Sequence, residues 1–217
     1  MDIVKLWTLC SSNGIILEAD MRDNITRYAT ELKYWNSKVN LISRKDEDNI
    51  FERHILHSLS ILKFIDPKPK ARVVDIGTGG GLPGIPVKIA RPDLFMYLID
   101  SIAKKTKMTE MLANHTGLKN IRTINARAEH LHQELDVKFD LVIARAVAPA
   151  RKIFNWTQKI IKPNAKYALL KGGDLDMEIF DLEEFATDYS ITVHPLNLVG
   201  YEEFNKDEKK IIILEKK

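Results

Sequence analysis

The sequence predicts an α/β fold built on a mostly parallel, doubly wound sheet. Short apolar segments alternate with amphipathic ones from residue 71 onward, a glycine-rich turn joins the first strand to a helix, and two late strands follow each other directly. Repeated strand–helix–strand units predict a parallel sheet with helices on both faces. In such a sheet a ligand binds at the carboxyl ends of the central strands.

The first third of the chain is predicted to be helical. Between Glu18 and Val39 apolar residues recur every three or four positions, which places them on one face of an amphipathic helix. A second helix is predicted from about Asp46 to Ile65, and two prolines end it because proline cannot continue a helix. We expect residues 1–67 to form a helical extension, packed on a core of residues 68–217 within one compact domain.

Strands and helices alternate through the core. The predicted strands cover residues 72–76, 94–99, 120–124, 139–144 and 166–170, and the predicted helices cover residues 84–90, 103–115 and 149–161. Two further strands, at residues 191–199 and 210–214, are separated only by a polar turn, which indicates a hairpin at the sheet edge. The sequence therefore predicts a seven-stranded sheet.

Composition narrows the possible classes of protein. Of the 217 residues 45% are hydrophobic and the net charge is +3, which permits a nucleic-acid partner without requiring one. Cys10 is the single cysteine, so an intrachain disulfide and a thiolate metal cluster are excluded. The chain has neither the apolar run of roughly 18 residues that a membrane helix needs nor a secretory signal. We expect a cytoplasmic monomer that uses no metal and no membrane.

The most informative segment is the turn between the first core strand and its helix, which reads DIGTGGGLPG from Asp75 to Gly84. Glycine is needed where a turn takes positive φ or where backbone touches a ligand closely. A turn of this kind presents backbone N–H groups and a helix N-terminus to the ligand. The predicted cofactor-binding residues here are Asp75, Gly77, Gly79, Gly81 and Leu82.

The neighbouring carboxylates favour S-adenosylmethionine as the ligand. Residues 79–84 also fit the dinucleotide pattern G-x-G-x-x-G, which is a weak signal alone. However, Asp75 would repel a pyrophosphate and suits an ammonium group, while Asp100 ends the second strand, where it can accept hydrogen bonds from two ribose hydroxyls. Ala128 and Glu129 follow the third strand, at the position where methyltransferases of this class contact the edge of the cofactor's adenine. An NAD-dependent oxidoreductase and a non-catalytic RNA-binding module are the alternatives.

Taken together, the motifs resemble a known family of ribosomal RNA methyltransferases. They run in order over residues 34–173, which is most of the chain. The segments that carry the resemblance are Asp75–Pro86 (DIGTGGGLPGIP), Asp100-Ser101, Arg127-Ala128-Glu129, Ala144-Arg145-Ala146, Leu170–Gly173, Trp35-Asn36, Asn40-Leu41 and Arg53-His54. They are similar to the small-subunit methyltransferase G family, also called RsmG or GidB.

The resemblance implies a Rossmann-like class I methyltransferase that uses S-adenosylmethionine. Its target would be N7 of one guanosine in 16S rRNA near the decoding site, and its partner would be the small ribosomal subunit. Carried over by position, the cofactor contacts would be Gly77, Leu82, Ala128, Glu129 and Arg145, with Asp100 and Ser101 at the ribose. The alternative is a methyltransferase of the same class acting on another RNA or on a small molecule.

Three positions depart from the family pattern. Gly80 stands where many members have proline or alanine, so we expect a looser loop. Ile42 replaces a common threonine, and His57 replaces a usual aspartate, which removes any role of that carboxylate here.

The candidate catalytic residues are Arg145, Asn40 and His54. Arg145 ends the fourth core strand, where we predict that it orients the guanine or holds the cofactor; the alternative is that it pairs with Asp75 or Glu129 to fix the loop. Asn40 and His54, together with Asn36, are predicted to form a polar group that faces the pocket. Alternatively, Asn40 caps a helix end and His54 is a hydrogen-bonded core residue.

Basic residues near the predicted pocket could contact RNA phosphates. Three lysines lie in the first turns of the helix after Asp100, and four more cations are further candidates for the same rim. These residues are Lys104, Lys105, Lys107, Arg122, Arg127, Arg151 and Lys152.

Overall fold

The computed structural model describes residues 1–217 and contains one seven-stranded sheet in the order β3-β2-β1-β4-β5-β7-β6. The strands are β1 (Arg72–Ile76), β2 (Phe95–Asp100), β3 (Ile121–Asn125), β4 (Phe139–Arg145), β5 (Ile161–Gly172), β6 (Tyr189–Pro195) and β7 (Lys209–Lys216). The first five strands pair in parallel, and β7 runs antiparallel between β5 and β6. The predicted sheet of seven strands and its edge hairpin are confirmed.

Helices cover both faces of the sheet. They are α1 (Ile3–Ser12), α2 (Ala19–Asn36), α3 (His57–Leu59), α4 (Gly84–Ala90), α5 (Ala103–His115), α6 (Leu131–Glu134), α7 (Ala150–Thr157), α8 (Asp176–Glu183) and α9 (Glu202–Asn205). One core cluster of 39 buried residues joins the N-terminal helices and α4 to the sheet, and a second cluster of 21 buried residues lies under α7 and α8 on the other face. The N-terminal helices thus share a core with the sheet.

The second N-terminal helix differs from its prediction in form. Instead of one α-helix over 46–65, the chain makes a 3₁₀ turn (Arg44–Asn49), a π-helical segment (Ile50–Leu56), the short α3 and another 3₁₀ turn (Ser60–Lys63). The hydroxyls of Ser58 and Ser60 donate to backbone carbonyls of the preceding turn at 2.6 Å. Such bonds bend helices, and apolar periodicity cannot reveal them.

Strand β5 is longer than predicted. The predicted strand covers residues 166–170, whereas β5 begins at Ile161 and includes Lys162-Pro163-Asn164. Its register with β4 shifts between Phe139 and Leu141. An irregularity of this kind accommodates proline and asparagine without ending the strand. The sequence also missed α8, because the segment is acidic and has little apolar periodicity, and the short α9, which was predicted as a polar turn.

In this structure every helix is too short or too polar to cross a membrane. Nor does any group of three or more His, Cys, Asp or Glu side chains stand where it could hold a metal ion.

Candidate active site at the carboxyl edge of the sheet

A cavity of about 390 Å³ opens at the carboxyl ends of β1, β2, β3 and β4. This is the edge at which a ligand is expected in a doubly wound sheet. Five of the predicted cofactor-binding residues line it, namely Gly77, Asp100, Ser101, Ala128 and Glu129. The structure therefore brings together residues that lie on three separate strand-to-helix connections.

The carboxylate of Asp100 links two of those connections. Its Oδ2 accepts a hydrogen bond from the N–H of Gly79 at 2.9 Å, and its Oδ1 accepts one from the N–H of Ile102 at 2.9 Å. The side chain lines the cavity although only 8% of the residue is exposed. Each carboxylate oxygen has a second lone pair, so both can still accept a hydrogen bond from a ligand.

Gly77 is required by the close approach of a neighbouring side chain. Its φ is +68°, and a Cβ there would lie 2.5 Å from a methyl group of Val147. Val147 and Ile102 line the cavity and are 37% and 49% exposed, so they form apolar walls that are open to solvent. The sequence analysis did not predict that these two residues line the cavity. The one local indication was that each is an apolar residue two positions after the end of a strand.

Gly79, Gly81 and Leu82 shape the loop and do not line the cavity. Gly79 and Gly81 have φ values of +57° and +95°. The N–H groups of Gly81 and Leu82 donate to the carbonyl of Thr78 at 2.9 and 2.8 Å, and the Leu82 side chain is buried in the core shared with the N-terminal helices. Those two N–H groups are thus used within the turn.

Asp75 lies beneath the loop and is fully buried. Its Oδ2 accepts hydrogen bonds from the Thr78 hydroxyl at 2.6 Å and from the N–H of Gly84 at 2.9 Å, whereas its Oδ1 has no partner. Burial raises the pKa of this carboxyl to about 7, although the two hydrogen bonds oppose the rise. Asp75 therefore ties the start of the loop to the start of α4.

The N-terminal helices hold the other side of the loop. The hydroxyl of Tyr28, on α2, donates to the carbonyl of Gly80 at 2.8 Å. A Cβ at Gly80 would lie 2.9 Å from Leu32 and 3.1 Å from Leu41. The expectation of a looser loop is therefore wrong, because the absent side chain lets the extension pack directly against it.

Arg145 reaches from the end of β4 to the π-helical segment. Its Nη1 donates to the carbonyl of Arg53 at 3.2 Å and lies 2.9 Å from Nδ1 of His54. Since a guanidinium can only donate, Nδ1 of His54 must accept, and the ring proton is on Nε2. Burial, followed by the charge of Arg145, lowers the pKa of His54 to about 3, so this imidazole is neutral. The alternative pairing of Arg145 with Asp75 or Glu129 is not seen.

The predicted polar group on the extension is only partly formed. His54 is buried beside Arg145, but Asn36 is buried elsewhere, where its Oδ1 accepts from the N–H groups of Leu41 and Ile42 at 2.8 and 2.9 Å. Asn40 is exposed four residues beyond the end of α2, so it is not the cap of that helix. The carbonyl of the next residue, Leu41, approaches Gly79, so Asn40 lies near the glycine loop, but it does not line the cavity.

The predicted basic rim is also divided by the structure. Lys105 and Arg127 line the cavity, whereas Arg151 stacks on the ring of Phe185 at 3.4 Å. Arg122 is the second residue of β3, so it lies at the opposite, amino-terminal end of the sheet. The prediction that Arg122 belongs to the basic rim is therefore wrong. Arg122 is at the centre of the predicted strand, residues 120–124, so the sequence did not show at which end of the sheet it lies.

Solved structures of methyltransferases share this fold. A precorrin-6y C5,15-methyltransferase from Geobacter metallireducens superimposes with a TM-score of 0.58 and 14% identity, covering 75% of this chain and 87% of that one. TrmN from Thermus thermophilus gives a TM-score of 0.57 and 19% identity over 75% of this chain and 49% of that one. Strand order and these superpositions together define a Rossmann-like fold.

Sequence comparison identifies the family within this class. The family model described as rRNA small subunit methyltransferase G (GidB) matches residues 21–210. A ribosomal RNA small subunit methyltransferase G from Cytophaga hutchinsonii is 42% identical over 82% of this chain and 84% of its own length. A ribosomal RNA small subunit methyltransferase G from Bacteroides thetaiotaomicron is 40% identical over 82% of this chain and 84% of its own length. The chain belongs to the rRNA small subunit methyltransferase G family.

The buried carboxyl of Asp75 predicts a pH-dependent stability. A native pKa of about 7 against an ordinary value of 3.8 means that the folded protein binds a proton that the unfolded chain releases. The contribution of Asp75 to stability should therefore fall as pH rises from about 4 to 7, by up to roughly 4 kcal/mol. The lowered pKa values of His54 and His57 act in the opposite direction over the same range, so the contribution of Asp75 is measured as a difference between variant and wild type. The variant Asp75→Asn lacks this titration, so its free energy of unfolding relative to wild type should increase across that window in urea titrations.

A second variant controls for carboxylates in general. The hydrogen bond and charge of Arg91 lower the pKa of Asp93, so Asp93 stabilises the fold above its ordinary pKa and loses this effect at lower pH. Between pH 4 and 7 the stability difference between wild type and Asp93→Asn should therefore stay nearly constant, and it should change only at lower pH. Parallel curves for wild type and Asp75→Asn between pH 4 and 7 would contradict the buried, proton-binding state.

Proposed function

We propose that this methyltransferase transfers the methyl group of S-adenosylmethionine to N7 of a guanosine in 16S rRNA of the small ribosomal subunit. The observation that carries the proposal is the cavity at the carboxyl edge, with the Asp100 carboxylate in its wall. Membership of the rRNA small subunit methyltransferase G family supports the ribosomal substrate.

The cavity fits the nucleoside part of S-adenosylmethionine. Asp100 would accept hydrogen bonds from the two ribose hydroxyls, and Ser101 lies next to it. Ala128 and Glu129 would meet the edge of the adenine, whose faces fit the apolar walls of Ile102 and Val147. When bound, the cofactor supplies a methyl group on a positively charged sulfur. Gly79, Gly81 and Leu82 would contribute by fixing the loop, and Asp75 would hold it from below.

Transfer to guanine N7 places few chemical demands on the protein. The N7 atom has a lone pair and no proton, so the enzyme needs no general base. Its task is to align the purine with the methyl group, and good alignment lowers the barrier by removing the entropic cost of orientation. A neutral His54 is suitable here, since its Nδ1 is occupied by Arg145 and its role is to hold that side chain.

Arg145 would orient the target base. Two contacts fix Nη1, whereas Nε and Nη2 form no hydrogen bond within the protein and can donate to O6 of the guanine or to a flanking phosphate. Asn40, exposed beside the loop, would approach the base from the other side. Lys105 and Arg127 line the cavity, Lys104 and Lys107 lie near Lys105 on α5, and all four would contact RNA phosphates.

The proposal is tested by incubating the protein and labelled S-adenosylmethionine with small-subunit particles that lack the modification. We expect label in 16S rRNA, at a single guanosine, and mass spectrometry should assign the methyl group to N7. Transfer to a different atom or to no RNA would contradict the proposed substrate. Calorimetry with S-adenosylhomocysteine on the same sample serves as the control. If the sample binds this ligand, an absence of methyl transfer is not caused by a misfolded cofactor site.

The fork geometry of Arg145 yields a separate prediction. Arg145→Lys keeps the positive charge but cannot contact both His54 and the base, so kcat should fall roughly 100-fold because of misalignment. Cofactor affinity should be unchanged. His54→Phe removes the acceptor and should also lower kcat, while His54→Gln, which keeps an acceptor, should restore part of it.

Steady-state kinetics with the small-subunit particle, together with calorimetry of cofactor binding, separate the possible roles. A parallel loss of cofactor affinity in Arg145→Lys would instead place Arg145 at the cofactor. Equal kcat values for His54→Phe and His54→Gln would show that His54 does not position Arg145.

A further inference from the structure

The amino-terminal end of the sheet, opposite the active site, carries two neighbouring cavities. Their volumes are about 610 and 370 Å³, and Lys162 lines both. Six cations surround them. We call this set the basal edge; it consists of Lys68, Lys70, Arg72, Arg122, Lys162 and Lys166.

Most of this charge has no partner within the protein. Lys162 pairs with Asp140 at 2.7 Å and Lys166 pairs with Glu215. Asp66, which also lines the smaller cavity, pairs instead with Arg91. The other four cations are exposed and form no ion pair. The whole chain has a net charge of only +3, so the basal edge is a local excess of positive charge.

Strand pairing fixes the spacing of the two arginines. Arg72 is opposite Phe95 in the register of β1 and β2, and Arg122 is opposite Tyr97 in the register of β2 and β3. They are thus two strands apart and offset by two residues along the strand direction, which puts their Cα atoms about 12 Å apart at the usual strand dimensions. Rigid sheet backbone holds both guanidinium groups at the larger cavity, together with Lys70, and no acidic side chain lines that cavity.

Unpaired cations that lie close together repel one another, which slightly destabilises the folded state, and they form no ion pairs that would stabilise it. Their arrangement does suit a polyanion, because guanidinium and ammonium groups bind the phosphates of a nucleic acid backbone. The half-buried Phe95 between them adds an apolar surface for a sugar or a base.

We propose that the basal edge is a second RNA-binding surface, which contacts phosphates of the substrate RNA away from the target base. The inference rests on the proposed RNA substrate. Strand β1 has five residues, so the basal edge is about 17 Å from the active-site edge. One RNA can reach both edges only if it is large and folded, as in a ribosomal particle; a short hairpin that carries the target guanosine reaches one.

The test compares wild type with Arg72→Gln/Arg122→Gln in direct binding to small-subunit particles without any methyl donor. Affinity of the variant should fall about 10-fold, and the slope of log K against log salt should become shallower by roughly 1.5, since two phosphate contacts are lost. Binding of a short hairpin and of S-adenosylhomocysteine should be unchanged. The control, Lys5→Gln/Lys206→Gln, removes the same charge at two exposed lysines that form no ion pair and lie off the basal edge. Lys5 packs over the ring of Tyr201 at 4.9 Å, so thermal unfolding of the control is measured as well.

The outcomes separate the two proposals. Equal affinity and salt slope for wild type and the Arg72→Gln/Arg122→Gln variant would overturn the basal edge, even if wild type methylates the particle. An equal loss in the control would also overturn it, because the effect would then be one of total charge. If the variant loses affinity while wild type methylates no RNA, the basal edge stands and the proposed methyl transfer fails. Unchanged thermal unfolding excludes a folding defect.

Discussion

The structure of the site depends on the carboxylate of Asp100. This group accepts one backbone N–H from the glycine loop after β1 and another from the connection after β2. Charge-assisted hydrogen bonds of this kind are roughly twice as strong as neutral ones, and here they hold two separate loops at a fixed distance. The cavity lies between these connections, and Asp100 is part of its lining. The same carboxylate is the group that would recognise the ribose.

The glycine loop is held from three sides. Asp75 binds it from below, Thr109 on α5 donates to the carbonyl of Gly79 at 2.6 Å, and Tyr28 on α2 donates to the carbonyl of Gly80. A loop that is fixed before its ligand arrives costs less free energy to order on binding. We propose that the extension, residues 1–67, serves the site in this way and also supplies His54, which orients Arg145.

Local sequence patterns were sufficient for most of the fold. Helices 84–90 and 103–115 were predicted with their observed bounds, because apolar periodicity and flanking prolines are local signals. The π-helical segment was not predictable, since the apolar periodicity of residues 46–65 fits a regular α-helix equally well. The contact of Arg145 with His54 joins residues 91 positions apart, and no spacing rule reveals such a contact. Asp100 was predicted as a ligand group, but its bonds to both loops required the structure.

The central claim is that Asp100 both builds the cavity and binds the nucleoside, and calorimetry of S-adenosylhomocysteine binding tests it most directly. Wild type should bind the ligand. Asp100→Asn retains the size of the side chain but replaces one acceptor by a donor, so affinity should fall at least about 10-fold, the equivalent of one lost hydrogen bond to a charged group. Tight binding of a pyridine dinucleotide in place of S-adenosylhomocysteine, or equal affinities for wild type and Asp100→Asn, would contradict the account.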